Sequence, residues 1–151
     1  MTKPSNAYVG SEEKFQVSAI EFVRRALHSA GHPPECAMHV PNGGARSAIV
    51  GAKLKAAGVV RGYPDIMVFA AQVLPPLNRR KEVMVPRCGL ALELKVWPNK
   101  PSKDQQRIHD LLRDAGWRVV TCWSLDEVIA EANRYLGCGQ STPAPPLNRR
   151  S

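Results

Sequence analysis

The sequence has no apolar run near the roughly 18 residues that a membrane-spanning helix needs, so no membrane partner is expected. Residues 1–10 lack the apolar core of a signal peptide, and a cytosolic location is expected. Cysteines are few and scattered. Cys36, Cys88, Cys122 and Cys138 include no C-x-x-C pair, which removes the zinc-ribbon and thioredoxin readings and leaves reduced thiols. Acids are also scarce, with 13 Asp+Glu against 21 Lys+Arg and a net charge of +8. A basic balance in a compact domain points to a polyanionic partner, of which nucleic acid is the commonest. Within 151 residues, 44% of them hydrophobic, there is room for one domain with its own core.

The nearest approach to a transition-metal motif is His32, Cys36 and His39. It lacks an evident fourth ligand, and His32 precedes a Pro-Pro pair. The ordinary reading is a loop that leads into a short strand at 36–40.

Helical spacing of Phe15, Ala19, Phe22, Val23, Ala26 and Leu27 predicts a first helix, capped by Ser11 and stopped by Gly31 and the two prolines. Pro41-Asn42-Gly43-Gly44 reads as a flexible turn. A second helix over 46–57 ends at Gly58, a suitable C′ residue. Arg61-Gly62-Tyr63-Pro64 then leads into a strand opened by Asp65. Residues 72–88, rich in proline and arginine, break the pattern as a long hairpin connection or a mobile loop. A strand at 89–97 follows. Ser102 and Gln105 form a capping box for a helix whose expected buried stripe is Ile108, Leu111, Leu112 and Ala115. Another strand spans 117–122. Ser124 and Glu127 form a second capping box, opening a helix through Val128, Ile129, Ala132 and Leu136 to Gly137.

This order predicts an α/β sandwich around a small mixed sheet over residues 11–137. Residues 1–10 form a flexible N-terminus and 138–151 a disordered tail. The hexapeptide Pro-Pro-Leu-Asn-Arg-Arg occurs at 75–80 and again at 145–150, too short a unit for a solenoid.

Read as a strand, 89–97 places Leu90, Leu92, Leu94 and Val96 on one face and Glu93 with Lys95 on the other. An acid and a lysine inside an otherwise buried strand lower stability unless something compensates them. A divalent metal and a phosphate would do so. Hydrolysing a phosphodiester needs an activated water and neutralised phosphoryl oxygens. Carboxylates hold hard cations, and a lysine nearby orients the nucleophile and offsets developing charge. Asp65, Glu93 and Lys95 supply these parts. The plainer reading has Asp65 capping the turn after Pro64, with Glu93 and Lys95 paired on an exposed edge strand.

Several motifs in order resemble the virus-type replication-repair nuclease domain, a branch of the PD-(D/E)XK nuclease superfamily. They are Asn42-Gly43-Gly44-x-Arg46, Gly51-x-Lys53-Leu54-Lys55-x-x-Gly58, Gly62-x-Pro64-Asp65, Glu93-x-Lys95, and Gln105 in the next helix. The resemblance covers about residues 11–137. It implies a restriction-endonuclease-like core and a Mg2+- or Mn2+-dependent endonuclease of stand-alone phage or bacterial type. It further implies branched DNA such as four-way junctions as substrate, a homodimer, and a bacterial cell or phage-infected host as the setting.

Carried over by residue, Asp65 and Glu93 resemble the metal-binding carboxylates, with the Leu94 backbone carbonyl a further ligand. Lys95 resembles the catalytic lysine and Gln105 the supporting glutamine; Gln105 also reads as the capping partner of Ser102. An acid on the first helix belongs to such a site: Glu12 is the choice and Glu13 its rival, because the helix phase is open there. Arg46, Lys53 and Lys55, with Lys100 and Lys103, are candidates for contact with the DNA backbone, or else solvated surface charges. Trp97 either flanks the site or packs at a sheet edge. A restriction-type duplex nuclease and a non-catalytic basic DNA-binding module stand as the alternatives.

Overall fold

The computed structural model describes residues 2–41, 47–74 and 85–138. Both copies of the repeated hexapeptide, Asn42-Gly43-Gly44, Arg46 and nearly all of the 138–151 tail lie outside the described residues.

Helix α1 (Glu12–Ser29) starts where predicted, with Ser11 Oγ accepting the Lys14 N–H. A 3₁₀ turn at Pro34–Cys36 then delivers strand β1 (Ala37–His39). Helix α2 (Ala48–Ala56) is capped by Ser47, whose hydroxyl accepts the Val50 N–H, and ends before Gly58 at φ +87°. Strand β2 (Ile66–Val68) follows Asp65. The 72–88 segment begins and ends in an antiparallel pair, β3 (Gln72–Leu74) with β4 (Val85–Arg87), so at its base it is a hairpin. Strand β5 (Leu90–Leu94), helix α3 (Lys103–Asp114), strand β6 (Arg118–Cys122) and helix α4 (Leu125–Leu136) complete the core. No helix among the described residues is long and apolar enough to cross a membrane.

The main sheet runs β1-β2-β5-β6. The first two pairings are antiparallel, and β5 lies parallel to β6, with α3 as the crossover. Helices α1 and α4 cover one face. There Phe15, Ala19, Val23 and Leu27 meet Ile66, Val68, Leu90, Leu92 and Leu94, together with Val128, Ala132 and Tyr135. The Tyr135 hydroxyl donates to the Ala70 carbonyl at 2.6 Å. Helix α3 covers the other face, packing Ile108 and Leu112 on Met67, Ala91 and Val119. This is the predicted α/β architecture: helices flanking a small mixed sheet.

The edge-strand reading of Glu93 is overturned. Strand β5 is interior, between β2 and β6, and every one of its residues is buried. The expected stripe on α3 also needs correction. Its buried residues are Ile108, His109 and Leu112, while Leu111 is 53% exposed and Ala115 is exposed. The face is set by Gln105, Ile108, His109 and Leu112 at i, i+3, i+4 and i+7, one residue round from the apolar reading. At α4, Ser124 Oγ accepts the Glu127 N–H, but the Glu127 carboxylate takes the Trp123 N–H instead of that of Ser124. The second capping box therefore closes one residue early.

Candidate active site

Strands β2 and β5 stop pairing at Ile66 opposite Leu92. One step further Asp65 would face Glu93, but the strands part there. The Asp65 side chain continues in place of the ladder, its Oδ2 accepting the Leu94 N–H at 2.8 Å. The next amide, Lys95 N–H, turns the other way and donates to the Cys122 carbonyl at 2.9 Å. Because backbone groups alternate along a strand, the Leu94 carbonyl shares the side of its own N–H and faces the notch beside Asp65. Opposite, the Asp65 carbonyl is held by the Val40 N–H at 2.8 Å and by His39 Nδ1 at 2.9 Å. The Gln16 amide of α1 touches the same ring nitrogen. His39 is thus engaged in seating Asp65, and His32 meets Gln72 at 3.5 Å. Among the described residues no three His, Cys, Asp or Glu side chains cluster as a metal site.

Glu93 is 0% exposed, on the α3 face. Three groups hold it. Gln105 Nε2 donates to Oε1 at 2.6 Å, Lys95 Nζ stands 3.0 Å from the same oxygen, and His109 Nε2 lies 3.4 Å from Oε2. Helix α3 positions Gln105 through its capping box: Gln105 Oε1 accepts the Ser102 N–H at 2.8 Å, and Ser102 Oγ accepts the Gln105 N–H at 3.3 Å. His109 follows Gln105 by one helical turn and so reaches the same carboxylate. The sequence reading missed His109; its only signal was that i+4 spacing.

Electrostatics follow from this geometry. Burial is the main cause that pushes the Asp65 carboxyl up to about 7, and the charge of Glu93 adds to it. The Leu94 N–H and the Lys95 ammonium pull in the opposite direction. Glu12, in the first turn of α1, also raises Asp65 by its negative charge, and Glu13 does not enter. Of the two rival acids, Glu12 is therefore the one whose field reaches Asp65, although its own side chain is exposed.

The structure brings Asp65, Glu93, Lys95, Gln105 and the Leu94 carbonyl together at one notch. Two carboxylates under mutual repulsion, with a backbone oxygen beside them, form a donor set of hard oxygens. That set fits a divalent cation which keeps several of its own waters. Lys53 and Lys55 lie exposed in the last turn of α2, and Lys100 and Lys103 are exposed around the start of α3. None of these four touches the carboxylates among the described hydrogen bonds and ion pairs. Trp97 is half-buried just beyond β5.

No known family profile matches the sequence, and no curated protein does. Comparison with solved structures finds a protein described as a "VRR_NUC domain protein", with a TM-score of 0.65 and 22% sequence identity. The match covers 87% of this chain and 93% of that one. With the order of elements and the placement of the sheet described above, the chain shares the fold of that VRR_NUC domain protein, a small mixed sheet flanked by helices.

Proposed function

We propose that the chain is a divalent-metal-dependent endonuclease that hydrolyses phosphodiester bonds in DNA, selective for branched substrates such as four-way (Holliday) junctions. The observation that carries this reading is the notch where β2 and β5 part, which sets Asp65 against Glu93 with Lys95 alongside. The basic composition and the VRR-NUC fold support it.

In this reading Asp65, Glu93 and the Leu94 carbonyl hold Mg2+ or Mn2+. The ion, when bound, lowers the pKa of a coordinated water and polarises the phosphate. Lys95 orients the attacking water and offsets charge that develops on the phosphoryl oxygens. Its ammonium already lies 3.0 Å from Glu93, so it is aimed at the notch before substrate arrives. Gln105 fixes the carboxylate plane of Glu93. Glu12 adds negative charge at the open side. Lys53, Lys55, Lys100 and Lys103, with Arg46, contact the DNA backbone. Two cuts placed symmetrically in a junction need two sites, which the reading supplies as a homodimer.

The test mixes purified protein with end-labelled four-way junction and with linear duplex, in magnesium, manganese or EDTA. Paired, metal-dependent nicks confined to the junction are expected. Equal cutting of the duplex would make it a general or restriction-type nuclease. Binding without cleavage under either metal would leave a DNA-binding module and refute the catalytic reading. Lys95→Ala is expected to lose at least about 100-fold in cleavage while still binding DNA.

A further inference from the structure

A second concave surface lies between α2, the 58–61 segment and Arg107 of α3, and encloses about 730 Å3. Its floor includes Leu54, Val59 and Val60, and its rim carries Lys55, Arg61 and Arg107. No acidic side chain lines it among the described residues. None of the three cations forms an ion pair there either; the pairs present involve Lys95, His109, Arg113 and Arg118. Helix α2 buries none of its residues, and Val59 and Val60 stay about half exposed, so this wall of the groove is not spent on the protein's own core.

Covalent continuity ties the groove to the notch. Gly62, at φ +94°, packs so tightly on α3 that a Cβ there would stand 2.8 Å from the Asp104 carbonyl. Arg61 precedes Asp65 by four residues, at most about 14 Å of chain. On α3, Arg107 follows Gln105 by two residues, a rise of about 3 Å, and leaves the helix on the side away from Gln105 and Glu93. The rim cations therefore begin within a few nucleotides of any phosphate held at the notch.

The geometry points to this groove as the track for the DNA strand on one side of the cut, with Lys55, Arg61 and Arg107 neutralising its phosphates and the aliphatic floor receiving sugars and bases. The inference rests on the nuclease reading and adds to it a direction in which the substrate leaves the site. Charge decides the occupant. A second copy docked here about a two-fold axis would set the same three cations against their own images, whereas a polyanion complements them.

The test uses the full chain in EDTA, so that nothing is cut, and follows anisotropy of a fluorescein-labelled duplex and four-way junction across a salt series. Arg61→Gln/Arg107→Gln is expected to weaken binding and to lower the log–log salt slope by about 2, at roughly 0.9 for each phosphate no longer neutralised. The comparison double variant, Arg25→Gln/Arg134→Gln, lies on α1 and α4 behind the sheet and is expected to leave the slope as it is. Unchanged binding by the groove variant, or an equal fall in both, would overturn the proposal. So would a change of sedimentation mass in the groove variant with its slope intact, which would assign the surface to a second copy. Failure of the nuclease reading appears separately, as a wild-type protein that cuts nothing under magnesium or manganese. A wild type that cuts, with a groove variant that binds and cuts equally well, defeats the groove alone.

Discussion

Replacing Asp65 by Asn should stabilise the protein at neutral pH in EDTA while removing the proposed cleavage. The folded, metal-free chain keeps the Asp65 proton up to about pH 7, whereas the unfolded chain releases it near the ordinary 3.8. Across that window the folded state binds more protons, so its stability falls as pH rises from about 4 to about 7. At about 1.36 kcal/mol per pH unit the full difference is about 4 kcal/mol. Asp65 keeps some contact with water, which brings the expected gain down to about 1–3 kcal/mol. Asn retains an oxygen to accept the Leu94 N–H, so the local geometry survives the change. At about 2–4 °C per kcal/mol for a chain of this size, the variant should melt about 2–12 °C higher near pH 8 in EDTA. The gap should close towards pH 4. Added magnesium or manganese should then raise the wild type more than the variant, since only the wild type keeps both carboxylates for the ion. A variant that melts at or below the wild type near pH 8, or a gap that persists unchanged at pH 4, would refute the reasoning.

Gln105→Ala removes both the cap on Ser102 and the hydrogen bond to Glu93; it should lower stability by about 1–3 kcal/mol in urea denaturation and reduce cleavage beyond what the smaller folded fraction explains. His109→Ala strips Glu93 Oε2 of its partner and opens a hole under α3, for about 2–4 kcal/mol in the same assay; a value within about 0.5 kcal/mol of wild type would show that the 3.4 Å approach contributes little. Gly62→Ala would press a Cβ onto the Asp104 carbonyl at a positive φ and should lower stability by about 2 kcal/mol or more, seen as a clearly lower melting temperature; an unaffected melt would mean that the α3 terminus yields freely.

The parts of the site that could be read in the sequence are those set by local rules. Strand alternation put Glu93 and Lys95 on one face, and the Ser102–Gln105 spacing marked the start of α3 together with the residue that reaches Glu93. The parts that escaped depend on which neighbour covers which face. Leu111 counts as apolar in any periodicity, yet the sheet meets α3 one residue round, where His109 stands. A histidine in that row gains its meaning only from the buried carboxylate across from it. Likewise, nothing in 89–97 distinguishes an edge strand from an interior one. That depends on β6 arriving after α3 to pair in parallel. The groove beside α2 was legible only as scattered lysines, because Arg61 and Arg107 are 46 positions apart in sequence.

A helix that opens with Ser at its cap usually accepts either Glu or Gln three residues later, and the two are close to interchangeable there. Position 105 is not free in that way. Its amide oxygen is used by the helix end and its amide nitrogen by Glu93, so each end of one planar group answers a different demand. A Glu would satisfy the helix and bring a second anion to 2.6 Å from the first, with no hydrogen between them. The choice of an uncharged side chain at a surface-looking helix start thus carries information about a buried neighbour twelve residues away. Related chains that exchange Gln for Glu here should also lose the acid at the strand position.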